Sequence, residues 1–180
     1  LRAGLARLMQ KKSIKEITVK ELVEEVDINR STFYLHYTDI YQMLESIEAE
    51  LMEEITHLVA DYPLDPLNNK ESSYPFIEQI FILDHNKDIC IALLGKNGDM
   101  AFVNRIEKLI ADTVLHRLSV RLPKDNRDIE YAYAFCLNGC VGMIKTWLSS
   151  ENQESTQHMA ELTHKLIDNT THMYLEQALR

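Results

Sequence analysis

The chain is poor in residues that break or staple a fold, with five glycines, four prolines and three cysteines in 180 residues. So few turn formers exclude collagen-like and disordered chains and favour long regular elements. The cysteines, Cys90, Cys136 and Cys140, are odd in number and sit among apolar neighbours. That pattern argues against a disulfide framework and predicts a reducing, cytoplasmic setting. Long apolar runs are missing too: the longest, Ile89 to Leu94, has six residues, where a membrane span needs about twenty. There is no phosphate-binding glycine loop and no nucleophile elbow, so neither an enzyme nor a cofactor is expected. Positive charge is the scarcer sign, with 19 Lys and Arg against 28 Asp and Glu, a net charge of -9. Taken whole, such a chain repels nucleic acid and anionic membranes.

What is present is apolar spacing at 3.6 residues, with no hairpin signals, which predicts an all-α fold. Leu1, Leu5 and Leu8 already hold this spacing, so the first residue is expected to lie inside the first helix. Three short helices are predicted at about 1–12, 18–26 and 29–36. A long helix follows from Asp39 to Pro63, carried by Ile40, Met43, Leu44, Ile47, Leu51, Ile55 and Leu58. Residues 62–73 read as a loop. Further helices are predicted at about 74–84, 86–94, 99–119, 126–149 and 155–179. No internal repeat is visible.

The segment from Thr18 to Tyr37 is the most informative. Thr18 followed by Glu21 is a capping box, and Ile17 with Leu22 forms its hydrophobic staple. Asn29 offers a second cap, flanked by Ile28 and Phe33 in the same relation. Two capped helices one tight turn apart, with Asp27 in the turn, are a helix-turn-helix. In this motif the second helix enters the major groove and its first residues meet bases and phosphates. Those residues are Asn29, Arg30, Ser31 and Thr32, then Tyr34, all hydrogen-bond donors, whereas Phe33 and Tyr37 fall on the core side.

These residues resemble the TetR family of bacterial transcriptional regulators. The resemblance rests on Thr18-Val19, Leu22-Val23, Ile28, Thr32-Phe33-Tyr34, His36-Tyr37 and Met43-Leu44, and spans about residues 1–48. It implies that Arg30, Ser31 and Thr32 face DNA, and that Tyr34, His36 and Thr18 touch the phosphate backbone. With Asn29 and the cation Lys20 they make up the expected DNA-facing set. Two positions depart from the family pattern: the turn glycine is Asp27, and the lysine usual at the start of the long helix is Ile40. Asp is among the few residues that tolerate a left-handed backbone, so the turn survives.

Charge is segregated in the same sense. Residues 1–38 carry seven Lys and Arg against five Asp and Glu, a net of +2, and the remainder carries 12 against 23, a net of -11. The acidity lies outside the expected DNA face. Binding to phosphates releases counterions and therefore weakens steeply with salt.

The expected domains are a helix-turn-helix module at 1–46 and a ligand-sensing and dimerisation bundle at 47–180. The helix at 126–149 carries Ala132, Cys136, Gly139, Cys140, Gly142 and Met143, a small-residue surface that admits a close neighbour. The last helix offers Met159, Leu162, Leu166, Thr170 and Met173. These two helices can pack within one subunit or form a four-helix dimer interface. The resemblance implies the homodimer and a palindromic operator, since paired recognition helices must meet successive major grooves about 34 Å apart. It also implies a small-molecule effector. Candidates for its pocket are Phe81, His85, Phe102, Tyr131 and Trp147, with Phe76, His116 and Tyr133 beside them.

Cys136 and Cys140 share a helix face without a third ligand, so no structural metal is expected. The main reading is an operator-binding regulator, as repressor or activator, and its alternative is a family-like sensor or co-regulator that acts through protein contacts. A third class, a small helical enzyme, would need a cleft pairing His85 or His116 with a carboxylate.

Overall fold

A computed structural model describes residues 1–61, 77–79, 87–119, 127–150 and 154–178. Among them every regular element is helical: α1 Arg2–Lys11, a 3-10 turn Ile14–Glu16, α2 Val19–Glu25, α3 Arg30–Tyr34, α4 Ile40–Asp61, α5 Lys87–Leu94, α6 Met100–Ser119, α7 Arg127–Leu148 and α8 Thr156–Ala178. This is the expected all-α class. Of the helix predicted over 74–84, only residues 77–79 are described, and they are helical. The 3-10 turn was not expected, although Ser13 and Glu16 give it a capping box of its own.

The chain divides into two compact units, Leu1–Ile55 with His85–Arg105, and Thr56–Asp84 with Ile106–Arg180. The first unit is larger than the DNA-binding module expected at 1–46, because α5 and the start of α6 pack into it. Its core joins Leu5, Met9, Leu22, Phe33, Met43, Leu51, Ile89, Leu93 and Val103, each under 2% exposed. The helix-forming pattern and the core are one fact here: the residues predicted to carry α4, from Ile40 to Ile55, are buried in turn along it. Ile40, at the position where the family resemblance implies a phosphate cation, is 3% exposed and belongs to this core.

Close helix approach needs Gly4. A Cβ there would stand 2.3 Å from Val26 Cγ1 and 3.2 Å from Leu22 Cδ1, so any larger residue would push α1 away from α2. The turn between α5 and α6 is tied back to α1, where Asn97 Nδ2 donates to the Gln10 carbonyl at 3.4 Å. Asp99 then caps α6, accepting from the amides of Ala101 at 2.7 Å and Phe102 at 3.2 Å.

In the second unit α7 and α8 run antiparallel. Met143 Sδ accepts from Thr163 Oγ1 at 3.9 Å, and nearer the connection Trp147 Nε1 donates to the Glu154 carbonyl at 2.8 Å. Leu148, Met159, Ala160 and Thr163 are buried here. None of the described helices is long and apolar enough to cross a membrane.

Candidate nucleic-acid interface

The start of α2 is fixed as the sequence predicts. Thr18 Oγ1 accepts from the Glu21 amide at 3.2 Å, and Glu21 Oε2 accepts from the Thr18 amide at 3.0 Å. Ile17 and Leu22 are both buried, completing the staple. The Thr18 hydroxyl also donates to Glu21 Oε2 at 2.9 Å. Its proton is therefore engaged inside the cap.

The end of α2 sets the direction of α3. Asp27 has a φ of 53°, the left-handed region, and is the sole non-glycine residue with positive φ among the described residues. Beside it the Asp27 amide donates to the Glu24 carbonyl at 3.4 Å and the Ile28 amide to the Val23 carbonyl at 3.0 Å. This pair of reversed bonds is a Schellman motif, which satisfies the last carbonyls of α2 and turns the chain sharply. The chain re-enters a helix three residues later, at Arg30.

Asn29 occupies the N-cap of α3 with an extended backbone, but its side chain makes no capping bond. This corrects the expectation of a side-chain cap. The reason is local: the Thr32 amide, which a side-chain cap would take, donates to the Asn29 carbonyl at 3.0 Å. The Asn29 amide group is left on the surface.

Phe33 anchors α3 at 0% exposure, with Tyr34 edge-on at 5.4 Å and Tyr37 tilted at 5.7 Å between ring centroids. Around this anchor Asn29, Arg30, Ser31, Thr32, Tyr34, Leu35 and His36 are all exposed. The structure thus brings six of the eight expected DNA-facing residues onto the outer side of one short helix and its flanks. Thr18 and Lys20 lie at the start of α2. Leu35, which is not among the expected hydrogen-bond donors, is exposed beside them and follows Ser31 by four residues.

Carboxylates neutralise much of the basic charge of this unit. Arg2 pairs with Glu50 at 2.9 Å, Arg7 with Glu25 at 2.6 Å, Lys20 with Glu24 at 3.8 Å, and Lys12 with Glu21. Lys12 and the Thr18 cap hold the Glu21 carboxyl down at about 2. Arg30 has no carboxylate partner among the described residues, so its charge projects outward from α3.

The described pocket candidates are divided between the two units. Phe102 is a core residue of the first unit at 2% exposure. Tyr131 and Trp147 belong to the second, where Tyr131 is 70% exposed and Trp147 is half-buried. Phe76, Phe81 and His85, and the side chain of His116, lie outside the described residues. Tyr133 stands out instead: its hydroxyl is buried with no hydrogen-bond partner among the described residues, and burial pushes its pKa up. Burial also raises the thiols, Cys90 to about 11 and Cys140 to about 12, which makes them poor nucleophiles. No group of three or more His, Cys, Asp or Glu among the described residues could hold a metal ion.

Comparison with known proteins agrees with this architecture. Residues 71–169, more than half of the chain, match the TetR family model described as the transcriptional regulator C-terminal region. An uncharacterized HTH-type transcriptional regulator, YxbF of Bacillus subtilis (strain 168), is 21% identical over 170 residues, or 93% of this chain. The chain spans 43% of the length of that relative. A crystal structure of a TetR transcriptional regulator from Streptococcus agalactiae 2603V shares the fold, with a TM-score of 0.57 and 20% identity over 92% of this chain and 90% of that one. With its own helix-turn-helix geometry beside these matches, the chain belongs to the TetR family of transcriptional regulators.

Proposed function

We propose that this protein regulates transcription by binding a palindromic operator as a homodimer, with α3 in the major groove. The observation that carries the reading is the outer side of α3, where exposed hydrogen-bond donors flank Arg30, which has no carboxylate partner among the described residues. Only a left-handed residue at position 27 aims that side away from the core. Arg30 is placed to meet a guanine edge, worth about 1–3 kcal/mol of discrimination. Tyr34 and His36, one turn on, suit phosphate oxygens.

The α7 surface supports the dimer. Tyr131, Ala134, Phe135, Asn138, Gly139 and Gly142 are all exposed at helical spacing, and Tyr131 and Phe135 are each 70% exposed. A Cβ at Gly139 or Gly142 would meet nothing within 4 Å. Leu162 and Leu166 are likewise exposed on α8, at 38% and 50%. Two aromatic rings followed by two bare glycines form a surface into which a second helix pair can press. An effector would find an anchor at the Tyr133 hydroxyl, a buried polar group with no hydrogen-bond partner among the described residues.

The test is a mobility-shift titration on the DNA upstream of the protein's own gene. Binding should fall by orders of magnitude between about 50 and about 200 mM salt. Arg30→Ala should reduce the slope by about one counterion if the contact is a phosphate, or relax one base preference if it is a guanine. No salt-sensitive binding at the lower concentration would overturn the reading. Phe135→Glu should convert a dimer to a monomer in analytical ultracentrifugation, and an unchanged dimer would move the interface elsewhere.

A further inference from the structure

Leu35 is 79% exposed, the highest exposure among the large apolar side chains described. A single exposed leucine is ordinary on a protein surface; its position is what carries meaning here. Leu35 is the C-cap of α3 and keeps a helical backbone, with φ -70° and ψ -23°, so about 200° of helix rotation separates it from Phe33, which is fully buried. Leu35 therefore points away from the core, at the C-terminal end of the outer side of α3. Its amide donates to the Ser31 carbonyl at 3.1 Å, so it stands one turn beyond Ser31 on the same side.

Every exposed neighbour of Leu35 on this helix can hydrogen-bond: Arg30, Ser31, Thr32, Tyr34 and His36. Leucine can do nothing for a phosphate or a base edge of that kind. In the major groove, the one apolar feature a base pair presents is the 5-methyl group of thymine.

We propose that Leu35 reads a thymine methyl in each half-site, as a specificity residue set among polar contacts. The inference rests on the operator-binding reading above and adds the chemical identity of one base. Burial of a methyl group against an apolar side chain is favourable by about 0.8 kcal/mol, which corresponds to about a fourfold change in affinity.

The experiment uses duplexes selected by the wild-type protein from a random-sequence library, resynthesised with each thymine replaced singly by deoxyuridine. Deoxyuridine keeps every hydrogen bond and deletes only the methyl. One thymine per half-site should weaken wild-type binding about threefold to tenfold when replaced. Leu35→Ala, which alters both half-sites of the dimer, should bind the thymine duplex with about the square of that single loss and show no further response to deoxyuridine at that position. At 79% exposure the substitution leaves the fold intact, and a melting curve checks it. Strong selection of duplexes in which no methyl matters would overturn the role of Leu35 and leave operator binding standing. A methyl effect that persists undiminished in Leu35→Ala would overturn it as well. If no duplex is selected at all, operator binding fails first and the Leu35 inference falls with it.

Discussion

The Ile28 amide reaches back to the Val23 carbonyl at 3.0 Å, and the left-handed backbone of Asp27 between them makes the bond geometrically accessible. A left-handed L-residue costs about 1–2 kcal/mol, which Asp tolerates better than most. Asp27→Val should therefore destabilise the protein by about 1–2 kcal/mol, because a β-branched residue fits this region worst. Asp27→Gly should stay within about 1 kcal/mol of the wild type. Denaturant unfolding measures both. Equal losses for the two variants would mean that the aspartate side chain, and not the backbone, holds the turn.

Glu21 links acid to the helix-turn-helix. Lys12 first, then the amide and hydroxyl of Thr18, lower its carboxyl from 4.5 to about 2. Glu25 is shifted the same way by Arg7. A lowered carboxylate supports the fold above its unfolded value and loses that support as pH falls through the folded one. Stability should thus decline between pH 4.5 and about 2. Glu21→Gln should flatten part of this decline, leaving the share of Glu25, as followed by unfolding midpoints across that range.

Glu48 behaves in the opposite sense. It is 5% exposed and paired with Arg105, and its Oε1 is buried with no hydrogen-bond partner among the described residues. Burial and then the nearby Asp99 charge raise its pKa. A raised carboxyl favours the fold while protonated, and its ionisation works against folding once pH passes the folded value. Arg105→Ala leaves that buried charge without its cation and should cost about 1–3 kcal/mol at neutral pH. The cost should shrink in mild acid and in a Glu48→Gln background. A loss that is the same at every pH would assign Arg105 a packing role through Phe102, whose ring centroid lies 5.5 Å from the guanidinium.

Tyr133 gives a test that needs no ligand. A buried hydroxyl without a partner costs about 1–3 kcal/mol in desolvation. Tyr133→Phe should therefore raise the melting temperature of the free protein, against the usual trend for core substitutions. A lower melting temperature would show that the hydroxyl is already satisfied, and would remove it as the anchor for an effector.

Much of the candidate interface was legible because it is built from short-range backbone chemistry. The Thr18–Glu21 cap spans three residues, and the Asp27 turn follows from which residues accept a left-handed φ. Neither needs a distant partner. The Asn29 side chain departed from expectation because two acceptors, its own carbonyl and its side-chain oxygen, compete for the same amides. Leu35 lies outside the expected set for a different reason: its side chain donates no hydrogen bond, although Phe33 on the core side already places it outward.

The sequence by itself determined the helical class, the boundaries of the helix-turn-helix and the segregation of charge, all of which follow from spacing within a few residues. Tertiary structure decided which cations of the first unit meet carboxylates from distant parts of the chain. Arg2 meets Glu50 and Arg105 meets Glu48 across 48 and 57 residues of chain, and Asn97 meets Gln10 across 87. Such pairs form because burial of the apolar faces of α1, α4 and α5 brings distant segments together, and hydrophobic burial has no memory of sequence distance.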